Sequence, residues 1–176
     1  MILFKKSSLI IIFLTVALFL QGYSFEYKVE ELDSARNAAN RNNTAIMYME
    51  MGHYQAAETE FKIAISLVPN SPSSAAYYNN LGLLYLKIKN YIGAEDCFTN
   101  AININPVFLE YYKNLVATYA NQNILNEKLN SYLSLIEKDS QNSLAYLYAG
   151  LIYIELGDNT LATNYLTQYV NFEKKG

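Results

Sequence analysis

The residues that could carry chemistry are few in this sequence. The chain has one histidine, His53, and one cysteine, Cys97. A catalytic imidazole or thiolate needs a neighbouring group to orient or deprotonate it, and a metal site needs several ligands at close spacing. His53 lies in a predicted turn, where a solvated role is favoured over that of a base or ligand. Cys97 has no internal disulfide partner, and a buried structural thiol is favoured over a reactive one.

The acidic residues give no better indication of catalysis. Six carboxylates are interpreted as solvated surface charge: Glu30, Glu31, Glu58, Glu60, Glu95 and Asp96. The sequence contains no glycine-rich phosphate loop, no paired Cys or His metal spacing and no nucleophile motif. The protein is therefore not expected to be an enzyme, and no catalytic residue, metal site or cofactor is predicted.

The first residues have the composition of a secretory signal. Two lysines precede an apolar run over 9–20, and the small residues Gly22 and Ser24 follow it. The run is short for a bilayer about 30 Å thick, so residues 1–24 are predicted to be a signal peptide cleaved after Ser24. The alternative is an uncleaved segment that anchors the chain to the inner membrane by residues 9–20. Both predict a domain outside the cytoplasm, in the periplasm or the extracellular space.

The charge of the chain excludes one class of partner. Residues 1–24 contain two lysines and no acid, so their removal changes the formal net charge from −3 to −5. A mildly acidic domain has no electrostatic footprint for nucleic acid. The expected partner is a protein or peptide, with membrane proximity only if the N-terminal segment stays attached.

The elements that would present a binding surface are clearest between Tyr78 and Pro106. Small and aromatic residues recur there at helical spacing: Tyr78, Leu81, Gly82 and Tyr85, then Ala94, Phe98 and Ala101. Two such stripes face each other in a helical hairpin. Gly82 and Ala94 are small where the two backbones approach closely, and Pro106 marks the end of the second helix.

This pattern resembles the tetratricopeptide repeat, a 34-residue helix–turn–helix family. Tyrosines 34 residues apart extend the resemblance along the chain: Tyr78, Tyr112 and Tyr146, and also Tyr85, Tyr119 and Tyr153. The resemblance implies an all-α fold, a right-handed α-solenoid of four hairpins. The predicted repeats are 38–71, 75–108, 109–142 and 143–176, preceded by a linker or helical extension over 25–37.

The third predicted repeat departs from the family pattern. Val116 replaces the small residue of the first helix, Lys128 stands where alanine is expected, and Ser140 replaces the proline. The two larger residues predict a wider or shifted hairpin. Between the first two repeats, Ser73 or Ser74 is predicted to cap the next helix.

The resemblance implies a concave groove that is lined by the first helix of each repeat and holds a partner's peptide or helix. Carried over by position, its residues are Asn42, Ile46, Met49, Asn79, Leu83, Leu86, Lys113, Ala117, Asn121, Leu147, Leu151 and Ile154. The groove is expected to be polar at one margin and apolar toward the C-terminus. One family subgroup binds the C-terminal carboxylate of cytosolic chaperones. At its positions this chain has Asn42, Ile46, Asn80, Glu110 and Asn114, which do not support that function.

The last repeat provides the second functional hypothesis. No extra helix follows it, so an apolar strip with Leu161, Tyr165, Leu166 and Tyr169 is expected to be partly uncovered. The leading hypothesis is an exported adaptor or scaffold that binds a partner in the groove. The alternative is a self-assembling structural protein of the cell envelope that dimerises through this strip.

Overall fold

The computed structural model describes residues 32–174, which fold as an all-α solenoid of helical hairpins. The described residues form eight helices: α1 (32–50), α2 (Tyr54–Leu67), α3 (Pro72–Lys87), α4 (Tyr91–Ile104), α5 (Leu109–Asn121), α6 (Leu125–Lys138), α7 (Ser143–Glu155) and α8 (Asn159–Glu173). Residues 32–37 belong to α1 and lie within the range 25–37, for which a linker or a helical extension is predicted. The predicted signal peptide lies outside the described residues. None of the described helices is long and apolar enough to cross a membrane.

The turn inside each hairpin places one residue in the left-handed region of backbone space. Its φ is 80° at Gly52, 61° at Lys89, 59° at Asn123 and 82° at Gly157. These four residues occupy the same position of successive repeats. Glycine adopts this conformation without a Cβ clash, whereas lysine adopts it at a cost.

Lys89→Gly is expected to raise the free energy of unfolding by about 1 kcal/mol. The substitution removes the Cβ clash of a positive φ in an exposed turn. Lys87→Gly is the matched control, because Lys87 is exposed within the last turn of α3, where glycine lowers stability by about 1 kcal/mol. Urea unfolding followed by circular dichroism measures both, and equal signs for the two changes would contradict the assignment of strain to Lys89.

Capping residues begin several of the helices. Ser71, not Ser73 or Ser74, is the N-cap of α3, and its hydroxyl accepts a hydrogen bond from the backbone N–H of Ser74. The prediction was wrong because Pro72 is suited to the first turn of a helix, which places the start of α3 earlier. Asp158 caps α8, and its Oδ1 accepts a hydrogen bond from the backbone N–H of Leu161.

Glycines allow the two closest hairpins to pack. A Cβ added at Gly82 would lie 2.7 Å from Cε1 of Phe98, and one at Gly150 would lie 2.6 Å from Cγ of Leu166. Phe98 is completely buried in the core. In each case, a large residue of the second helix fills the space that the missing side chain leaves.

The third hairpin is splayed, which confirms the prediction from its larger residues. α5 and α6 approach each other far less than α3 and α4 or α7 and α8 do. Val116 is fully buried at the position of Gly82 and Gly150, so its side chain occupies the space of the close approach. Lys128 joins α6 to the preceding repeat as well as to α5: its Nζ lies 3.3 Å from Oε1 of Glu95 on α4 and 4.5 Å from the centre of the Tyr119 ring of α5.

A tyrosine of α7 joins the two separated helices. The Tyr148 ring stacks on Tyr132 of α6 with centroids 4.5 Å apart and contacts Tyr112 of α5 at 5.5 Å. Tyr119 completes the group, and burial raises the pKa of all four hydroxyls, so the tyrosines stay neutral. α6 is therefore held mainly through α7 rather than by its own hairpin partner.

The outer face of α8 is largely polar. Its exposed residues include Thr160, Thr163, Asn164, Thr167, Gln168 and Asn171. Tyr165, Leu166 and Tyr169 are half-buried, because Leu166 packs on Gly150 and Tyr165 lies against Tyr146 and Tyr153 of α7. Of the predicted strip, Leu161 remains exposed. The strip is thus partly uncovered, while Tyr165, Leu166 and Tyr169 contribute to the inner face of the hairpin. Dimerisation through it stays a prediction.

Candidate functional site

Paired asparagines connect the first helices of the first three repeats. Nδ2 of Asn80 on α3 donates to Oδ1 of Asn42 on α1 at 2.9 Å, and Nδ2 of Asn114 on α5 donates to Oδ1 of Asn79 at 2.8 Å. These bonds cross from one repeat to the next at the same repeat positions. They hold α1, α3 and α5 side by side, so that one face of each helix belongs to a common surface.

Apolar side chains continue that surface along each helix. Asn42, Ile46 and Met49 share one stripe of α1, and the equivalent stripe of α3 consists of Asn79, Leu83 and Leu86. The four apolar side chains are half-buried, so each retains an exposed portion. We call this surface, with Ala117 of α5, the asparagine groove. Asn42 is buried at 8% exposure, whereas Asn79, Asn80 and Asn114 are half-buried. The surface therefore presents the carboxamides of α3 and α5 together with apolar contacts to a ligand.

The charged margin of the asparagine groove is compensated. Lys113 of α5 is exposed, and its Nζ lies 2.9 Å from Oε2 of Glu110. Asn121, near the end of α5, is exposed, and its Nδ2 donates to the carbonyl of Ala117 at 2.8 Å. The groove therefore offers mainly neutral polar groups.

The C-terminal part of the predicted groove lies elsewhere. Leu147 and Leu151 are 2% and 5% exposed and belong to the hydrophobic core, whereas Ile154 is exposed near the end of α7. The prediction was wrong for the two leucines, because α7 packs directly against α5 where the third hairpin is splayed. The two leucines expected at the apolar margin therefore belong to the hydrophobic core, and the asparagine groove ends at α5.

Asn80 and Asn114 are not among the groove residues that family position predicts. They are 34 residues apart, the same spacing as the tyrosine series, and this spacing could have identified them. Their partners Asn42 and Asn79 were included by family position. What the repeat spacing does not indicate is that a carboxamide of one repeat bonds to the next.

Three of the six carboxylates, Glu58, Glu60 and Glu95, have structural partners, whereas Glu30 and Glu31 lie outside the described residues. Glu58 accepts hydrogen bonds from Nζ of Lys62 at 2.6 Å and from the Tyr85 hydroxyl at 2.8 Å. The lysine bond, supported by the tyrosine bond, holds the pKa of Glu58 below its ordinary value. Glu60 pairs with Arg41 of α1 at 3.0 Å. The expectation of solvated charge was thus incomplete, since these acids join helices.

His53 and Cys97 take the roles that the sequence predicts for them. His53 is exposed in the α1–α2 turn, with its ring edge-on to Tyr48. Cys97 is buried, and burial raises its pKa to about 12. The described residues contain no cluster of three groups that could hold a metal ion.

Cys97 is expected to react with a thiol reagent only when the protein opens. Its raised pKa keeps the thiol protonated at mildly alkaline pH, and its burial excludes the reagent. Labelling with Ellman's reagent should be slow in buffer and fast in urea. A Thr99→Cys, Cys97→Ser variant provides the exposed control on α4, and equal rates for the two thiols in buffer would contradict the burial of Cys97.

Comparisons with known proteins agree with the hairpin architecture. Residues 75–108 match the family model of the tetratricopeptide repeat, and residues 144–172 match a second model of the same description. The fold is similar to a tetratricopeptide repeat protein from Parabacteroides merdae, with 20% identity, a TM-score of 0.52 and coverage of 80% of this chain and 55% of that one. It is also similar to the first TPR of Spaghetti (RPAP3) bound to the HSP90 peptide SRMEEVD, with 20% identity, a TM-score of 0.51 and coverage of 70% and 95%.

A third similar structure is that of MamA, with 25% identity, a TM-score of 0.49 and 85% of each chain covered. No curated protein matches the sequence. The two family models, together with the two solved structures whose TM-scores exceed 0.5, support one architecture, a stack of helix–turn–helix repeats.

Proposed function

This chain is a tetratricopeptide repeat protein, and we propose that it is an exported, non-enzymatic adaptor that binds a protein partner in the asparagine groove. The observation that carries the proposal is the pair of inter-repeat hydrogen bonds, Asn80 to Asn42 and Asn114 to Asn79. They position carboxamides beside half-exposed apolar side chains on three adjacent helices. A carboxamide has two donor hydrogens and an acceptor oxygen, so each pair can make further bonds to a partner's backbone.

The charge of the groove selects the chemistry of the partner. The peptide bound to Spaghetti, SRMEEVD, is acidic, and an acidic peptide needs unpaired basic groups. Here Lys113 is already paired with Glu110. The partner segment is therefore uncharged: an extended peptide or a helix with apolar side chains that contact Ile46, Met49, Leu83 and Leu86. Its binding depends little on salt.

The groove is tested with one substitution inside it and one outside. Leu83→Glu places a charge among the apolar contacts and should weaken partner binding at least tenfold, the factor that corresponds to about 1.4 kcal/mol. Thr99→Glu, on the exposed face of α4, should leave binding unchanged. A photo-crosslinking residue at position 83 identifies the partner in envelope extract, and calorimetry with the purified partner then measures the affinity. Equal affinities for the two variants would disprove the groove.

Export of the domain is the second part of the proposal. It is supported by the two lysines and the apolar run over residues 9–20. Alkaline phosphatase fused after residue 31 should be active in cells and inactive when residues 9–20 are deleted. The size of the tagged full chain distinguishes cleavage after Ser24 from retention as a membrane anchor. Activity of the deletion fusion would contradict export by this segment.

A further inference from the structure

The turn between α5 and α6 lacks the residues that terminate and begin helices in the other hairpins. Gly52 occupies the left-handed position of the first turn, Asn90 caps the helix after the second, and the fourth has both Gly157 and Asp158. In the third turn, Asn123 has the positive φ and Ile124 stands at the N-cap without a side-chain hydrogen bond. This turn has neither a glycine nor a capping side chain.

The sequence across that turn is compatible with a continuous helix. From Leu109 to Lys138 there is no glycine and no proline, the two residues that most strongly break helices. The turn also leaves a polar group unsatisfied, because Nε2 of Gln122 is buried without a hydrogen-bond partner in the described part of the chain. A straight helix removes the positive φ of Asn123 and frees the Gln122 amide for solvent.

The contacts that α6, α7 and α8 make with the rest of the chain do not depend on the turn. α6 scarcely contacts α5. The two parts meet instead through side chains: Tyr148 lies against Tyr112, and Lys128 contacts Glu95 and the Tyr119 ring. These contacts join one surface of α4 and α5 to one surface of α6 and α7, and either surface could come from another copy of the chain.

We propose that two copies of this chain exchange α6–α8 and form a domain-swapped dimer. In the dimer, α5 and α6 of each copy join into one helix over residues 109–138. A straight helix carries α7 away from its own α5, so the α7 of the second copy packs there. In the exchanged dimer, the Tyr112–Tyr148 and Glu95–Lys128 contacts form between copies, and the positive φ of Asn123 is removed. Short strained hinge loops favour such exchange. It is independent of the proposed partner groove.

Substitutions in the turn test the exchange. Asn123→Ala disfavours the positive φ and favours a continuous helix, so it should lower the dimer dissociation constant about tenfold. Asn123→Gly with Ile124→Asp copies the Gly157–Asp158 turn and should raise that constant by a similar factor. Sedimentation equilibrium of the full chain in a density-matched detergent measures both. Association through residues 9–20 would give the two variants equal dimer dissociation constants. Equal constants would therefore overturn the proposal.

Gly157→Ala provides the matched control in a closely packed hairpin. It introduces the same backbone strain, but Asp158 still caps α8 and Leu166 still packs on Gly150. This variant should lose stability without gaining dimer. A gain of dimer equal to that of Asn123→Ala would show that strain in any turn suffices and would overturn the assignment to α5–α6.

Cross-linking distinguishes exchange from a surface dimer. Glu95→Cys and Lys128→Cys, in a Cys97→Ser background, place two half-exposed thiols where the ion pair was. A short bismaleimide should link two chains in the Asn123→Ala dimer and one chain to itself in the monomer. Links confined to single chains in a sample that sediments as a dimer would overturn the exchange. Circular dichroism confirms that each variant is folded.

Discussion

Leu151→Glu is expected to unfold much of the protein rather than to impair a binding surface. Leu151 is 5% exposed, in the core that α7 forms with its neighbours. A glutamate there loses the burial of a leucine, which contributes about 1.5–3 kcal/mol, and adds an unpaired buried charge that costs several kcal/mol more. The sum, roughly 5 kcal/mol, is comparable with the whole stability of many domains.

Leu83→Glu is the matched comparison, because Leu83 occupies the equivalent position of the second repeat and is half-buried. The carboxylate of a glutamate at this position can reach water, so the free energy of unfolding should fall by only about 1 kcal/mol. Urea titrations monitored by circular dichroism give both free energies of unfolding. If Leu151→Glu cost no more than Leu83→Glu, Leu151 would face the groove after all, and the assignment of α7 to the core would be wrong.

The repeat architecture could be predicted because packing within a hairpin is local. Gly82 and Phe98 face each other through geometry that two helices and one turn determine, so their spacing in sequence is enough. The same local rule predicted the splayed third hairpin from Val116 and Lys128. Hairpins are recognisable one at a time for this reason.

The faces of α7 could not be predicted in the same way. Which residues of α7 face the groove depends on how far α6 lies from α5, and that distance depends on Tyr148, which fills the gap with Tyr132 and Tyr112. Leu147 and Leu151 are core residues as a consequence. The family position of a residue assumes regular stacking, and one irregular hairpin changes the burial of the next repeat.

The asparagine pairs illustrate the same limit. Asn42 and Asn79 hold equivalent family positions, and each bonds to an asparagine one position further along in the next repeat. Sequence spacing shows that these residues recur, but the bond requires a particular offset between adjacent helices. That offset is a property of the stack and not of any single hairpin.

Gly82→Val is expected to separate α3 from α4 and to lower the free energy of unfolding by about 3 kcal/mol, at the upper end of overpacking effects. Its Cβ would meet the Phe98 ring at 2.7 Å, and the ring is completely buried, so it has no free space to move into. Val116 occupies the same position in the third repeat, and there the second helix, α6, lies further from the first, α5. Thr99→Val, on the exposed face of α4, is the control and should change stability by less than about 0.5 kcal/mol.

A second substitution tests whether the clash itself causes the loss. Phe98→Leu shortens the facing side chain, so it should cost stability alone but recover part of the loss when combined with Gly82→Val. The expected coupling between the two sites is about 1 kcal/mol or more, because they are in direct contact. Additive losses would mean that the glycine acts through backbone flexibility and not through close packing. Recovery in the double variant would show that helix separation in each repeat depends on the pair of residues at this contact, which is also the basis for the splayed hairpin of α5 and α6.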